Sequence, residues 1–373
     1  MIKRRPFNLD RAFGVELEFV SGPNNRRNDV ARAIGDKFEE LDTDGRNRWN
    51  IICGSYSRNN GYRDNAWYMK SDGTAHATSD QRDRGMQGGN ELVSPKLMGL
   101  DGFTQLAVVL EVMNEMGCDV SKHCGLHIHH DITDVRNLTG SHSPSTIKKA
   151  GKTLTNLIMM VARWEKYIYL MLPKSRRPSR MGEGCGEKNG WCQSVNVKFN
   201  THLTCDPDTG VPTRRVNVAR RIRKVARAFN ERRPQTFQFS RTCGINFYKF
   251  WVYGTVEFRY GAGSLNFEKI KNWVVFTQAF VNTAKDINTI PYLYDAHNAD
   301  YMTENRAIAW MKRNLGLIGE TVNNPVAQVH PERDEESGAV ILNAGRGDDE
   351  GTYAHRLVAD ASKWVNKRIR ELR

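Results

Sequence analysis

The stretch GVELEFV, residues 14–20, decides the fold because charged and apolar side chains alternate along it. Successive side chains of a strand point to opposite faces, so Glu16 and Glu18 share one face while Leu17 and Phe19 share the other. Two carboxylates about 6.6 Å apart along a strand repel by about 2.5 kcal/mol at an effective dielectric of about 20. This strand therefore has one face for a core and one face that needs nearby cations.

The same alternation recurs in two later stretches, GLHIHHD and GTVEFRY. His127 and His129 share one face of the first, and Glu257 and Arg259 share one face of the second. A solvated face of an antiparallel sheet also carries alternating polar residues, but such faces usually include Thr, Lys or Ser. The set here is glutamate, histidine and arginine, which indicates a functional face built from three strands.

Strand-like runs alternate along the chain with helical patterns, which favours an α+β domain with an antiparallel sheet over a sandwich or a helical bundle. Amphipathic helices fit on one face of such a sheet. The predicted strands cover residues 13–20, 125–130 and 245–260, and the predicted helices cover residues 103–116, 145–171 and 267–285.

We expect a main domain over residues 1–295 and a helical C-terminal extension over residues 296–373, where the chain becomes more polar. An irregular Gly-, Pro- and charge-rich excursion followed by a basic helix forms an insertion at about residues 173–240. Its basic segment, residues 214–233, carries an apolar stripe on an otherwise arginine-rich helix. A solvated helix face is the favoured interpretation, and a nucleic-acid surface is the alternative.

The composition narrows the class of protein and of partner. A net charge of +13 and a pI near 9.4 favour anionic partners and leave nucleic acid, nucleotides and acidic polymers open. Seven scattered cysteines without a C-x-x-C pair argue against a disulfide framework and a structural zinc site. No stretch fits a signal peptide or a membrane span, so the expected location is the cytoplasm.

Divalent cations would remove the cost of the clustered acids. Two Mg²⁺ ions about 3.5–4 Å apart can be bridged by carboxylates at this spacing. Mg²⁺ prefers oxygen ligands, which fits several glutamates with one imidazole, whereas Zn²⁺ prefers more nitrogen or sulfur. The ligand types therefore favour Mg²⁺, with Mn²⁺ as the alternative.

Two further motifs, SDGT and NELVSP, lie between the acid pair and the histidines. The full order is GVELEF, SDGT, NELVSP, GLHIHHD and INFYKFWVYGTVEFRYGAGSLN, spread over residues 14–266. This order resembles the amidoligase family of the carboxylate-amine ligase superfamily, whose catalytic fold is that of glutamine synthetase and glutamate-cysteine ligase. Each motif alone is weak, and the five together in register are specific.

The resemblance implies an ATP-dependent ligase with two Mg²⁺ ions. Such enzymes phosphorylate a carboxylate with ATP, and an amine then attacks the acyl phosphate to give an amide, ADP and phosphate. One ion would be held by Glu16, His127 and Glu257, and the other by Glu18 and Glu91. The substrates would be a carboxylate and an amine, including groups carried on a peptide or an anionic macromolecule.

The resemblance also implies roles for other polar residues. Arg259, with Glu257, is the catalytic pair and lies near the phosphoryl group or the substrate carboxylate. The family shows arginines in a loop ahead of a Tyr-Cys or similar pair, and here Arg176, Arg177 and Arg180 precede Trp191-Cys192. The expected ATP or phosphate contacts are His129, Arg177 and Arg180, and the expected substrate contacts are Asp72 and Asn246.

Two alternatives from other classes stay open. A metal-dependent hydrolase could use the pair His127 and His129 as zinc ligands, although the remaining candidate ligands are glutamates. A non-catalytic nucleic-acid-binding or structural protein could retain the ligase fold and act through its basic surface. The costly acid cluster argues against the second, because a degenerate site would be free to lose it.

Overall fold

The computed structural model describes residues 7–42, 49–54, 65–132, 144–177, 192–195, 240–287, 304–317 and 350–371. Within these ranges, seven strands form one sheet. The strands are β1 (Phe13–Ser21), β2 (Asn50–Cys53), β3 (Ala66–Ser71), β4 (Gln87–Val93), β5 (Gly125–Asp131), β6 (Ile245–Asn246) and β7 (Thr255–Ala262).

The sheet has the strand order β2-β3-β4-β1-β5-β7-β6. Every neighbouring pair is antiparallel except β2 and β3, which run parallel. The α+β class is confirmed, and the purely antiparallel sheet is corrected to a mixed one. The four residues of β2 are too few to show a period, so the sequence carried no signal for this edge pair.

Eight α-helices accompany the sheet in the described ranges. They are α1 (Arg27–Leu41), α2 (Ser79–Asp83), α3 (Gly99–Glu115), α4 (Pro144–Leu170), α5 (Lys249–Tyr253), α6 (Phe267–Asp286), α7 (Glu304–Asn314) and α8 (Glu350–Glu371). The three helices predicted from periodicity correspond to α3, α4 and α6. The prediction missed α1, although Val30, Ile34 and Phe38 lie buried on one side of it at four-residue spacing.

The predicted strand over residues 245–260 is wrong in its middle. The structure divides it into β6, the short helix α5 and β7, and Gly254 ends the helix in the left-handed region with φ of 71°. The intervening aromatic run FYKFWVY fits a buried strand and a buried helix equally well by composition, so the sequence pattern could not separate them.

Helices cover the apolar face of the sheet. Leu17 and Phe19 of β1 are fully buried in the main core. Phe103 of α3 packs on Phe13 with ring centroids 5.0 Å apart, and Phe280 of α6 packs on Phe258 of β7 at 6.3 Å. Because these contacts occupy one face, the acidic side chains of β1 project from the other.

The C-terminal helix α8 packs on the back of α6. Trp364 lies against Trp273 and Phe276, with ring centroids 5.3 and 6.4 Å apart. Lys271 of α6 is buried and its Nζ lies 2.7 Å from Glu268 and 3.8 Å from Asp360 of α8. A helical C-terminal tail is therefore confirmed, and it extends the core layer behind the sheet.

Some predictions fall on residues that the structure does not describe. The basic segment 214–233 and most of the insertion at 173–240 lie outside the described residues. The division of the chain at residues 295 and 296 stays a prediction. Of the helices in the described ranges, none combines the length and the apolar composition that crossing a bilayer requires.

Replacing Trp364 by alanine should lower the free energy of unfolding by about 3–5 kcal/mol, because it leaves a cavity against two buried aromatic rings. Urea unfolding followed by circular dichroism measures the change. The matched control is Lys363→Ala on the exposed side of the same helix, which should change the value by less than about 0.5 kcal/mol. Equal effects of the two substitutions would show that α8 does not pack on α6 in solution.

Candidate functional site

Strand register brings the charged residues of four strands together. Glu16 of β1 pairs with His127 of β5, and His129 of β5 pairs with Glu257 of β7. On the other side of β1, Glu18 pairs with Glu91 of β4. All six side chains project from the face opposite α3 and α6, because they alternate with core residues along their strands.

His127 lies at the centre of this cluster. Its Nδ1 is 3.0 Å from Glu16 Oε2 and 3.5 Å from Glu257 Oε1, and its Nε2 is 3.7 Å from Glu18 Oε1. The second histidine, His129, places Nε2 at 3.1 Å from Glu16 Oε1. The carboxylate of Glu16 thus contacts both imidazoles. The imidazole of His127 also lies near Glu18 and Glu257.

Glu16, His127 and Glu257 have the geometry of a cation site. One donor atom from each lies within 4.8 Å of the others. Bonds of about 2.1 Å to an octahedral ion place neighbouring donors about 3 Å apart, close to the 3.0 and 3.5 Å separations around His127 Nδ1. Two carboxylates and one imidazole suit Mg²⁺ or Mn²⁺ better than Zn²⁺. These three residues could therefore hold one divalent cation.

Glu257 is completely buried and its carboxylate is fixed on both sides. Arg259 Nη1 donates to Oε1 at 2.5 Å, and Asn246 Nδ2 donates to Oε2 at 2.6 Å. Lys249, at the start of α5, reaches across to within 3.9 Å of Glu16 Oε1. The edge of the cluster near β7 therefore contains two cationic side chains, Arg259 and Lys249, and the side-chain amide of Asn246, which donates to Glu257.

These neighbours keep the central acids ionised. Burial by itself raises the pKa of Glu16, but the charges of His129 and Lys249 and hydrogen bonds from the two imidazoles hold it well below its ordinary value. For Glu257, burial and the charge of Glu16 are outweighed by Arg259, His129 and Lys249, so its pKa is also lowered. Both carboxylates are thus negative at neutral pH and able to bind a cation.

The opposite edge of the cluster has a different electrostatic character. Glu91 lies 2.7 Å from Lys70 Nζ of β3, yet burial and the charge of Glu16 raise the pKa of Glu91 to about 8. Glu18 Oε2 accepts a hydrogen bond from the Gly125 amide at 2.6 Å. Among the described residues, only the trio around His127 gathers three potential ligand atoms. A second ion at Glu18 and Glu91 stays a prediction.

The other predicted site residues have structural contacts of their own. Asp72 Oδ1, at the end of β3, accepts from the amide and hydroxyl of Thr74 at 2.6 and 2.5 Å. Asn246 Nδ2 is used to hold Glu257, and Arg177 Nε donates to the Leu172 carbonyl at 2.9 Å. Their ligand contacts stay predictions, as does that of Arg180, which lies outside the described residues.

Sequence reasoning missed Lys70 and Lys249. Lys70 faces Glu91 only because β3 and β4 pair in that register, and strand pairing is a long-range property. Lys249 lies in the stretch that was assigned to a strand. The alternation of buried and less buried residues along β3 indicates which face Lys70 occupies. Nothing local in the sequence indicates that either lysine lies beside the acids.

Comparison with known proteins gives one family. The family model described as "Putative amidoligase enzyme" matches residues 9–281, a range that includes every site residue described above. No curated protein matches the chain. Among solved structures, the crystal structure of a bifunctional glutathione synthetase from Pasteurella multocida is 12% identical with a TM-score of 0.36, covering 98% of this chain and 47% of that one. The chain thus spans about half the length of that structure.

Glu257→Gln should weaken Mn²⁺ binding by at least about 10-fold, because it removes one negative ligand from the trio. Isothermal titration with MnCl₂, in the absence of nucleotide, measures the affinity. The control is Glu115→Gln, an exposed acid at the end of α3, which should retain the wild-type affinity. Unchanged affinity in Glu257→Gln would remove this trio as the cation site.

Glu91 should make stability depend on pH in a defined direction. Its carboxyl titrates at about 8 in the native state against 4.5 for an ordinary glutamate, so the native state binds more protons between these values. The free energy of unfolding therefore falls as pH rises through that window. Glu91→Gln mimics the neutral acid, so the variant should become more stable relative to wild type as pH rises.

Urea unfolding in EDTA between about pH 5 and pH 8.5 tests this expectation. The stability difference between Glu91→Gln and wild type should grow with pH, whereas Glu115→Gln should follow the wild-type curve. A constant difference across the range would contradict the raised pKa of Glu91.

Proposed function

The chain belongs to the amidoligase family, and on this premise we propose that it is an ATP- and Mg²⁺-dependent carboxylate-amine ligase. The observation that carries the proposal is the gathering of Glu16, His127 and Glu257 within 4.8 Å on the face of the sheet opposite α3 and α6. Cationic side chains flank this trio, as a site for polyphosphate and carboxylate substrates requires. The proposal includes a glutamine synthetase-like catalytic fold for the sheet.

The proposed reaction proceeds in two steps. A carboxylate oxygen of the first substrate attacks the γ-phosphorus of ATP, ADP leaves, and an acyl phosphate forms. The nitrogen of the amine then attacks the acyl carbon, phosphate leaves, and the nitrogen loses a proton to give the amide. Such reactions need positioning and charge stabilisation more than a protein nucleophile. Mg²⁺ would supply neutralisation of the phosphate oxygens.

In this proposal Glu16, His127 and Glu257 hold one ion, and Glu18 with Glu91 holds the second. The lowered pKa values of Glu16 and Glu257 support the first assignment. The raised pKa of Glu91 means that its carboxyl must lose a proton before it binds a cation.

Arg259 is the proposed partner of the transferring phosphoryl group. Its guanidinium is tied to Glu257 at 2.5 Å, which fixes it beside the cation trio. Fixed positive charge at the position where negative charge develops is the usual source of catalysis in phosphoryl transfer. His129 is assigned to the nucleotide, with Arg177 and Arg180 on its phosphates and with Asp72 and Asn246 on the substrates.

Hydroxylamine provides a direct assay, because it attacks an acyl phosphate to give a coloured hydroxamate in its ferric complex. Purified protein with Mg-ATP, hydroxylamine and a panel of amino, dicarboxylic and peptide acids should release ADP and form hydroxamate in equal amounts. Glu16→Gln and Glu257→Gln should lower the rate by about 10²–10³-fold, and Glu115→Gln should not lower it.

ADP release without any acid present would identify an ATPase instead of a ligase. Absence of hydroxamate with every acid, together with unchanged nucleotide binding in Glu16→Gln and Glu257→Gln, would reject both the ligase and its metal site.

A further inference from the structure

Lys70 is a cationic side chain within the acidic cluster that neither ion assignment above uses. Because β3 pairs with β4, Lys70 lies directly opposite Glu91 in the strand register. Its Nζ is 2.7 Å from Glu91 Oε2, and the two side chains are 23% and 7% exposed. One carboxylate of the proposed second ion site is thus already in contact with a positive charge.

This ammonium is close enough to compete with a metal ion. Mg²⁺ binds carboxylate oxygens at about 2.1 Å. An ion bound to Glu91 Oε2 would therefore lie at most about 5 Å from Lys70 Nζ, which contacts the same oxygen at 2.7 Å. A divalent and a monovalent cation at this distance repel each other strongly in a mostly buried site. Lys70 and an ion at Oε2 therefore compete for one carboxylate.

The other carboxylate of the proposed second site has different neighbours. Glu18 Oε2 accepts a hydrogen bond from the Gly125 amide at 2.6 Å, and Glu18 Oε1 lies 3.7 Å from His127 Nε2. Both oxygens of Glu18 therefore contact groups of β5, whereas Glu91 contacts a side chain of β3. An ion that joins the two carboxylates has to draw Glu91 away from Lys70.

The trio around His127 responds differently to a nearby cation. Its member Glu257 is also paired with a cation, because Arg259 Nη1 donates to Glu257 Oε1. The other two members of the trio supply two further donor atoms for the same ion. In the proposed second site, only Glu18 accompanies Glu91. A tethered cation therefore reduces the affinity for an ion more at Glu91 than at the trio.

We propose that Lys70 is a tethered counter-ion of Glu91 that sets the affinity of the second cation site below that of the trio. A cation binds between Glu18 and Glu91 only when it displaces the ammonium from Oε2. Lys70 thereby makes the number of bound ions depend on the cation concentration. The inference deepens the proposed function and rests on it for the position of the second ion.

The test counts the Mn²⁺ ions that the full chain binds at neutral pH without nucleotide, with the electron paramagnetic resonance signal of unbound Mn²⁺ as the readout. Wild type should bind one ion tightly and a second ion at least about 10-fold more weakly. Lys70→Met removes the competing charge and should raise the affinity for the second ion by at least about 10-fold. It also strengthens proton binding at Glu91, but the metal ion carries twice the charge of a proton and gains more.

Further variants assign the effect to the contact between Lys70 and Glu91. Lys70→Arg keeps the charge and should show no gain in affinity. The double variant Lys70→Met/Glu91→Gln should lose the gain of Lys70→Met, because the carboxylate that receives the ion is gone. Lys96→Met, which removes an exposed cation that follows β4, should leave both affinities unchanged. If Lys70→Met does not fold, Lys70→Gln provides the same loss of charge.

The proposal fails if wild type binds two ions with equal affinity, because Lys70 then does not restrict the second site. It also fails if neither Lys70→Met nor Lys70→Gln strengthens binding of the second ion, or if the double variant keeps the gain. Failure of the hydroxamate assay with the expected Mn²⁺ affinities would reject the ligase reaction and leave the role of Lys70 in place.

Discussion

The structure depends on the need to compensate negative charge on a half-buried sheet face. β1 puts Glu16 and Glu18 on one face, and pairing adds Glu91 on one side and Glu257 on the other through β5. At an effective dielectric of about 20, each close pair of carboxylates costs about 2–4 kcal/mol. A face of this kind persists only with cations, and the surrounding strands supply histidine, lysine and arginine.

The compensation is uneven across the face, and this unevenness gives the site its chemistry. Near β7, Arg259 and Lys249 keep Glu257 and Glu16 ionised. Near β4, a single lysine does not offset burial, and the pKa of Glu91 stays high. One face therefore combines fixed negative ligands and a titratable carboxyl.

Helices α3 and α6 pack on the apolar face of the sheet, opposite the charged cluster. Apolar residues of β1, β5 and β7 pack under α3 and α6, and α8 packs behind α6 through Trp364. The C-terminal helix thus thickens the apolar layer on the side of the sheet away from the charged cluster. Rigid packing behind the sheet fixes the strand register, and the register fixes the distances between the ligands.

The sequence by itself determined the local features. Alternation in GVELEFV, GLHIHHD and GTVEFRY correctly assigned which side chains share a face, and the 3.6-residue stripes located α3, α4 and α6. The order of the motifs indicated the family before any contact was known. These properties depend on neighbours within a few residues, so they can be predicted from the sequence alone.

Only the tertiary structure decided which residues meet. Lys70 contacts Glu91 because β3 pairs with β4. Lys249 contacts Glu16 from helix α5, which the sequence pattern did not predict. Arg176, and not Arg177, lies beside Gly125. Two adjacent arginines are indistinguishable by type, and their contacts follow from the direction in which the 3₁₀ turn projects them. Such contacts join residues far apart in the chain, so no local pattern records them, and only packing and strand register place them.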